Sequence, residues 1–291
     1  MKEIQEAVHR RRTFLKSTGG AALAFLATSN AHGENSHDHA AIPKGRFLDQ
    51  PRDLGLWATW YDLPANGREA YLSWLHGTYL PQLLKRPGYM WAAHYASRDN
   101  PSRSDIRHVD DPEVPTGFHY ILLIGVKDPF VLGNPSPRAL HAALPEQDRK
   151  MLAMRVGERV NLLAETGRYE GRARKTYKDG LTSAPCVQIG SFNCPLAYEE
   201  SLHAGYVKER LPAMCDTASS IRMRKLNSVV GWAKHVIIYE FASQEGFDRD
   251  YVAASAKAPL MQGNIELTPK LLHAPSGPNS ALRIWPPVSK T

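Results

Sequence analysis

The sequence predicts an α+β fold in which two βαββαβ units are fused in one chain. A Leu-His-x-x-Tyr pattern at residues 75–79 returns at residues 202–206, 127 positions later, within a similar stretch of helical periodicity. Each half also places a His at the start of its third predicted strand, His119 in the first and His235 in the second. Patterns that recur within two successive sets of elements indicate an internal duplication.

Apolar periodicity defines the elements of the first half. Runs rich in aromatic and apolar side chains predict strands at residues 56–63, 89–97, 118–126 and 168–178. Apolar positions three and four residues apart predict a helix that begins at Asn66, its candidate cap, and bends at Pro81. A second helix is predicted over residues 137–166, with a break at Pro145.

The second half repeats this order. Its strands are predicted at residues 185–194, 221–229 and 232–242, and its helices at residues 197–214 and 244–257. Residues 263–266 echo residues 167–170 and are expected to mark the fourth strand, while the proline-rich residues 275–291 are expected to form a tail. The cysteines contain no Cys-x-x-Cys pair, which leaves open buried free thiols or one disulfide; they are Cys186, Cys194 and Cys215.

The N-terminus carries an Arg-Arg-x-Phe-Leu-Lys pattern at residues 11–16, followed by an apolar run at residues 21–27. The segment resembles a twin-arginine (Tat) export signal, and the run is too short to form a stable membrane anchor. The resemblance implies export to the periplasm through the Tat translocase, with cleavage near Ala31. The predicted organisation is a signal peptide at 1–31, an extended leader at 32–52, a first unit at 53–180 and a second unit with its tail at 181–291.

Much of the formal charge of +7 belongs to the predicted signal. Residues 1–31 hold five basic and two acidic residues, so the remainder carries +4. That remainder has no long run of Lys or Arg, which argues against nucleic acid as a partner. The sequence also lacks the Gly-x-Gly-x-x-Gly and Gly-Lys-Ser/Thr patterns, so no nucleotide cofactor is predicted.

The first predicted helix and the strand after it are rich in aromatic residues around one His; the residues concerned are Tyr71, Trp74, His76, Pro81 and Tyr89. This set resembles the EthD-like branch of the dimeric α/β-barrel superfamily of ferredoxin-like folds, over residues 55–130 and more faintly over residues 187–245. Pro81 stands further from His76 than in the family's usual His-x-Pro, and the second half lacks the matching Trp and Pro. The resemblance implies two ferredoxin-like units that form an intramolecular dimeric α/β barrel, compatible with a monomer or a homodimer.

In such a fold, a cavity is expected where the two sheets face each other. A small aromatic or polyketide-like ligand is implied, and the residues expected to bind it are Trp57, Trp60, Tyr61, Tyr79, Trp91 and Tyr95. His76 is the candidate general base and His119 is second, because an imidazole titrates near neutral pH. Their expected counterparts in the second unit are His203 and His235. A purely structural role for these histidines is the competing interpretation.

The leading functional hypothesis is an exported enzyme that transfers a proton on its ligand without a cofactor, as an isomerase, cyclase, dehydratase or cofactor-free oxygenase. One alternative is a non-catalytic ligand-binding protein. Another is a haem-binding oxidoreductase, because some relatives in the superfamily bind haem through a His; the candidates here are His141, His203 and His235. No metal site is predicted, since the His-x-His at residues 37–39 lacks further ligands.

Overall fold

The computed structural model describes residues 52–98, 106–175 and 184–288. The predicted signal peptide and all but the last residue of the predicted leader lie outside these ranges. Residues 52–175 are called the first half below, and residues 184–288 the second half. Within the described ranges, no helix is long and apolar enough to cross a membrane.

The described strands are, in chain order, β1 (Gly55–Asp62), β2 (Tyr89–Ser97), β3 (Arg107–His108), β4 (Tyr120–Val126), β5 (Val156–Glu170), β6 (Cys186–Asn193), β7 (Ser220–Val230), β8 (His235–Phe241), β9 (Met261–Gln262), β10 (Ile265–Glu266), β11 (Leu272–His273) and β12 (Asn279–Trp285). Eight of them close into an antiparallel barrel in the order β12-β2-β4-β1-β5-β7-β8-β6, with β6 pairing back onto β12. The pairs β5–β7 and β12–β2 join the two halves.

The described α-helices are α1 (Arg68–Trp74), α2 (Leu80–Leu83), α3 (Pro137–Ala142), α4 (Glu146–Leu152), α5 (Glu199–Gly205), α6 (Leu211–Cys215) and α7 (Gln244–Lys257). The predicted α+β class is confirmed. The cap of α1 was predicted wrongly: the residue before the helix is Gly67, in a left-handed conformation with φ 81°, and no side chain caps the helix. Glycine adopts this conformation without the steric cost that a Cβ would add.

In each half, a π-turn stands directly before a Leu-Pro pair. Leu75–Tyr79 precedes Pro81, and Tyr206–Arg210 precedes Pro212. Proline has no N–H to donate, and its ring crowds the carbonyl one turn earlier, so a locally wider helix accommodates it. The bend predicted at Pro81 is therefore taken up by the π-turn.

From the first strand of each half to the start of its second strand, equivalent residues of the two halves are 131 positions apart. This offset relates β1 to β6, the two π-turns to each other, and the start of β2 to that of β7. The Leu-His-x-x-Tyr pattern repeats at 127, so its two copies are not equivalent. His76 corresponds to Val207, and His203 corresponds to Leu72. The predicted equivalence of His76 and His203 is wrong because the pattern slipped by four residues, about one helical turn.

The third strands correct a second pairing. The ladders place Tyr120 opposite Tyr61 and His235 opposite Phe192. Because Tyr61 and Phe192 are equivalent at the offset of 131, His235 corresponds to Tyr120 and not to His119. A shift of one residue turns a strand side chain to the opposite face of the sheet, so the predicted equivalence of His119 and His235 is also wrong.

Two further elements differ from the prediction. Residues 156–166 belong to the strand β5, although they were predicted as helix. Good helix formers such as Leu, Ala, Glu and Arg dominate this stretch, but pairing with β1 and β7 overrides their propensity. The fourth strand of the second half is β12, inside the predicted tail, whereas residues 261–266 form only a two-stranded hairpin.

Side chains fill the barrel interior. Trp60, Trp91 and Tyr95 pack there against aliphatic residues of both halves, including Leu163 and Val187. The large cavity expected between the two sheets is therefore replaced by a packed core, as in other eight-stranded barrels whose interiors are filled mainly by side chains. Space for a larger ligand lies on the outer face of the sheet, beneath the helices.

All three cysteines are buried and free. Burial raises the pKa of the Cys186 and Cys215 thiols to about 12 and that of Cys194 to about 11. Of the two interpretations left open by the sequence, the structure supports buried thiols that behave as small hydrophobic side chains.

Candidate functional site

Three side chains of the first half form a continuous hydrogen-bonded relay. The hydroxyl oxygen of Tyr61 lies 2.9 Å from Nε2 of His94, and Nδ1 of His94 lies 2.8 Å from Nε2 of His76. Tyr61 and His94 have no exposed surface, whereas His76 is half-buried. The relay therefore leads from a fully enclosed phenol to an imidazole that reaches the surface.

Neighbouring strands bring the relay together. Tyr61 on β1 and His94 on β2 flank β4, whose Tyr120 stacks against both rings at 5.8 and 5.4 Å between centroids. The π-turn supplies His76 from the helix above. On its far side, Trp285 of β12 stacks on the His76 ring at 5.7 Å and an interplanar angle of 13°.

A buried guanidinium supports the inner end of the relay. The Cζ atom of Arg155 lies 4.6 Å from the centre of the Tyr61 ring, in cation–π geometry. Its Nε donates to the Tyr71 hydroxyl at 2.6 Å, and its Nη1 pairs with Glu158 at 2.6 Å. Arg155 thereby fixes the packing of two tyrosines against the sheet.

Burial keeps the relay uncharged near neutral pH. It lowers the pKa of His76 to about 4 and that of His94 well below the usual value for histidine, with the neighbouring His76 adding to the effect. It also raises the pKa of Tyr61 well above that of a free phenol. A neutral imidazole donates a hydrogen bond at one nitrogen and accepts one at the other. The relay therefore has two arrangements, in which all of its hydrogen bonds point in opposite directions.

The other predicted first-half residues lie in different surroundings. The Tyr79 hydroxyl is 2.8 Å from Nε2 of His141, whose ring centre is 5.3 Å from that of Trp57. His119 is largely exposed, and its ring bonds Asp62 at 2.8 Å. Trp60, Trp91 and Tyr95 point into the barrel core, away from the relay.

The predicted second-half histidines form no comparable relay. His203 is exposed on α5. His235 is buried, stacks on Phe192 at 5.8 Å and has Nε2 3.6 Å from a Glu199 carboxylate oxygen. The position equivalent to His94 holds Lys225, which is 1% exposed and whose pKa burial lowers to about 8.

A cavity of about 860 Å³ lies on the outer face of the second-half sheet. It extends from β6 and β8 to the π-turn, α7 and the segment that follows. Its aromatic and polar lining consists of Gln188, Phe192, Tyr206, Arg210, Tyr239, Tyr251, Ser255, Asn264, Glu266, Thr268 and His273. Gln188 and Gly190 in this wall are equivalent to Trp57 and Thr59, so smaller residues leave space that larger ones fill in the first half.

Arg210 is the cationic side chain of this cavity wall. Its Nε donates to the Tyr239 hydroxyl at 3.1 Å, and its other nitrogens donate to the carbonyl and hydroxyl of Ser255 and to the Ala258 carbonyl. All of these acceptors are uncharged. Among the residues that the structure describes, no carboxylate lies within ion-pair distance of Arg210, so its charge is available to a ligand.

Sequence reasoning found His76 but missed His94, Arg155 and Arg210. The one available signal for His94 was a lone His inside an alternating aromatic strand. Arg210 stands at the position equivalent to Tyr79, and nothing in its own neighbourhood marks it. Across the described ranges, no group of three or more His, Cys, Asp or Glu side chains is arranged to hold a metal ion.

No model of a known family matches the sequence, and no curated protein matches it significantly. Solved structures with a similar chain path include an anthrone oxidase-like protein, at 9% identity and a TM-score of 0.45, covering 79% of this chain and 90% of that one. A chlorite dismutase from Candidatus Nitrospira defluvii matches at 11% and 0.42, covering 78% and 90%. A dye-decolorizing protein from V. cholerae matches at 11% and 0.43, covering 80% and 94%.

We expect the protein to lose stability between pH 6.5 and pH 4. Burial lowers the pKa of His76 and of His141 to about 4, so the unfolded chain binds these protons before the folded one does. Above pH 6.5 neither state binds these protons, and the free energy of unfolding is at its full value. As the pH falls towards 4, the free energy of unfolding decreases by roughly 3 kcal/mol for His141 and by less for the more exposed His76. Urea unfolding at several pH values measures it.

Replacing His141 by Gln keeps an acceptor for Tyr79 but removes the titration. The variant should therefore show a flatter dependence of its unfolding free energy on pH, with an unchanged dependence on urea concentration. A His141→Gln protein with the same pH slope as the original chain would contradict the assignment.

Proposed function

We propose that this protein binds a planar, largely apolar small molecule with an acidic group, in the cavity of the second half. The observation that carries the proposal is an aromatic-walled cavity of about 860 Å³ with the half-buried guanidinium of Arg210 in its wall. Ligand sites of proteins typically have volumes of roughly 300–1,000 Å³, with apolar walls and a few polar groups that orient the ligand.

The wall favours a flat ligand. Phe192 and Tyr206 lie nearly parallel, with centroids 6.2 Å apart and an interplanar angle of 19°. Tyr239 and Tyr251 meet edge to face at 5.5 Å. Aromatic rings in such arrangements offer both faces and edges to a planar ring system.

The charge of Arg210 favours an acidic group. Arg210 is surrounded by neutral oxygens, and its Nη2 bonds only the Ser255 hydroxyl. A carboxylate or phenolate placed against this nitrogen would gain a charge-assisted hydrogen bond, which is stronger than one between neutral groups. A neutral ligand of the same shape would lack that gain.

Haem belongs to this chemical class, because it is planar, apolar and carries two carboxylates. The cavity residues fit it, because His273 would hold its iron and Arg210 would pair with a propionate. Haem would bring redox chemistry at its iron, while the chain would bind, orient and shield it. The earlier candidates His141, His203 and His235 do not line this cavity.

Binding of 2-naphthoate to the purified chain tests the proposal. We expect Gln188→Trp to abolish binding, because it introduces the side chain that fills the equivalent place in the first half. Arg210→Gln should weaken binding of 2-naphthoate by roughly 10- to 100-fold, the usual worth of a hydrogen bond to a charged group, and leave the uncharged 2-naphthalenemethanol unaffected. Calorimetry measures both ligands, with His76→Gln as the control in the other half.

Equal affinity of Gln188→Trp and the original chain for 2-naphthoate would refute the cavity assignment. The absorption spectrum of the purified protein separates the two ligand types. A Soret band lost in His273→Ala would identify haem, whereas its absence together with naphthoate binding would favour an organic acid.

A second proposal rests on the relay of the first half: proton transfer to or from an aromatic carbonyl compound by His76, as in an isomerase, cyclase, dehydratase or cofactor-free oxygenase. The neutral imidazole is bonded through Nε2 to His94, which leaves Nδ1 to accept a proton from a substrate carbon or hydroxyl. His94 and Tyr61 would hold the ring and its tautomer.

Deuterium exchange at the α-carbon of 2-tetralone, followed by NMR in D₂O, tests this second activity. Catalysed exchange should disappear in His76→Ala and persist in His119→Ala, because His119 is exposed and bonded to Asp62. Exchange that is unchanged in His76→Ala would exclude His76 as the base.

We further propose that residues 53–180 and 181–291 descend from one duplicated ferredoxin-like unit. The support is the strand order β2-β4-β1-β5 in one half and β7-β8-β6-β12 in the other, joined by the reciprocal pairs β5–β7 and β12–β2. The constant offset of 131 residues and the shared π-turn support the same origin.

We also propose export to the periplasm through the twin-arginine route, on the strength of the sequence at residues 11–16. Replacing Arg11 and Arg12 by Lys preserves the charge but removes the guanidinium pair. The variant precursor should accumulate in the cytoplasm, as seen by cell fractionation and immunoblotting. Export of the double-Lys variant at the original level would disprove the assignment.

A further inference from the structure

Most buried guanidinium groups inside the barrel are matched by carboxylates. Arg224 donates to Asp53 at 2.8 Å and to Glu165 at 2.6 Å, and Arg222 pairs with Glu240 at 2.8 Å. Matched pairs of this kind are how folded chains tolerate charge in an apolar interior. In these arginines, the buried positive charge is neutralised by a carboxylate.

Arg159 is buried in the same barrel without such a carboxylate. It is 3% exposed, lies opposite Trp60 in the β1–β5 ladder, and has its Cζ 4.1 Å from the centre of the Trp60 ring. Its one hydrogen bond is from Nη1 to the Ser191 hydroxyl, at 3.3 Å. Among the residues that the structure describes, its Nε and Nη2 have no hydrogen-bond partner, and no carboxylate forms an ion pair with it.

Burial is the sole cause of the change in its acidity, lowering the pKa of Arg159 to about 9. No neighbouring charge raises it again, in contrast to Arg222, whose pKa is raised with Glu240 as the main opposing charge. A guanidinium with such a pKa still carries its proton at neutral pH. The barrel therefore encloses an uncompensated positive charge with donors that point at no acceptor.

A second orphan donor lies beside it. The indole Nε1 of Trp60 is buried and has no hydrogen-bond partner in the described part of the chain. Arg159 contacts both other groups, with its Cζ 4.1 Å from the centre of the Trp60 ring and its Nη1 3.3 Å from the Ser191 hydroxyl, so N–H and O–H groups from β1, β5 and β6 lie side by side. Convergent donors around a cation are the usual protein environment for an anion.

We propose that Arg159, Trp60 and Ser191 bind a small monovalent anion inside the barrel, either chloride or a carboxylate. Arg159 stands three residues after the start of β5, near the end of the barrel, so the position is close to its mouth. The site is separate from the second-half cavity, because Ser191 and Phe192 are successive residues of β6 and face opposite sides of the sheet. The proposal is independent of the function assigned to that cavity.

Thermal unfolding of the full chain tests the proposal, with sodium gluconate replaced stepwise by sodium chloride or sodium formate at constant ionic strength. The midpoint should rise with chloride by about 3 °C for each tenfold increase above the dissociation constant. A response to formate and not to chloride would identify a carboxylate as the ligand. Arg159→Met should remove the response, whereas the matched control Arg172→Met, at an exposed arginine, should retain it.

Crystals soaked in sodium bromide give a direct and separate readout. An anomalous peak within hydrogen-bond distance of Arg159 and Trp60 is expected, and it decides the matter even where Arg159→Met does not fold. Equal anion responses in Arg159→Met and the original chain, or a wild-type chain with neither an anion response nor a bromide peak, would overturn the proposal.

Discussion

Closure of the sheet is the constraint on which the rest of this structure depends. Strand β6 pairs with β12, and β12 pairs with β2, so none of the eight barrel strands is left with an open edge. A closed barrel of this size is filled mainly by its own side chains and has room for at most one small ligand. The alternation of each strand therefore assigns half of its residues to an enclosed core and leaves the outer face as the place where the helices and the sheet can hold something else.

The outer faces of the two halves carry different side chains at equivalent positions. At equivalent positions the first half has Trp57 and the second has Gln188, and the exchange of a large ring for a smaller amide accompanies the change from a filled space to a cavity. Likewise, Phe192 stands where Tyr61 would complete a relay. The first half thus has a hydrogen-bonded row of titratable groups, and the second half has a cavity with the charge of Arg210 in its wall.

Local patterns predicted local structure well. The strand from Gly55 and the helix Gln244–Lys257 follow from their periodicity and their boundary residues, because those signals act over a few positions. Helical propensity misled the interpretation of β5, where pairing on both sides outweighs the preference of Leu, Ala, Glu and Arg. The fourth strand of the second half was hidden among prolines, because a strand end tolerates proline when its pairing begins just beyond it.

The candidate site was less accessible to sequence reasoning. His76 stood out through a repeated pattern, yet that repeat was one helical turn out of place, and the partner that gives His76 its setting, His94, comes from a strand with no motif. The cavity exists because small side chains line its wall. The sequence around a residue such as Gly190 does not indicate that the space beside it is empty. Both features arise from register and side-chain volume across elements far apart in the chain.

The position of β12 also affects the order in which the molecule is completed. Because residues 279–285 pair with both β2 and β6, two strand edges stay unpaired until the last part of the described chain has left the ribosome. A nascent chain that ends between β6 and β12 exposes two templates for strand addition, one in each half. The C-terminal strand is thus the seal of the barrel, and a chain that lost it would present both open edges to its neighbours.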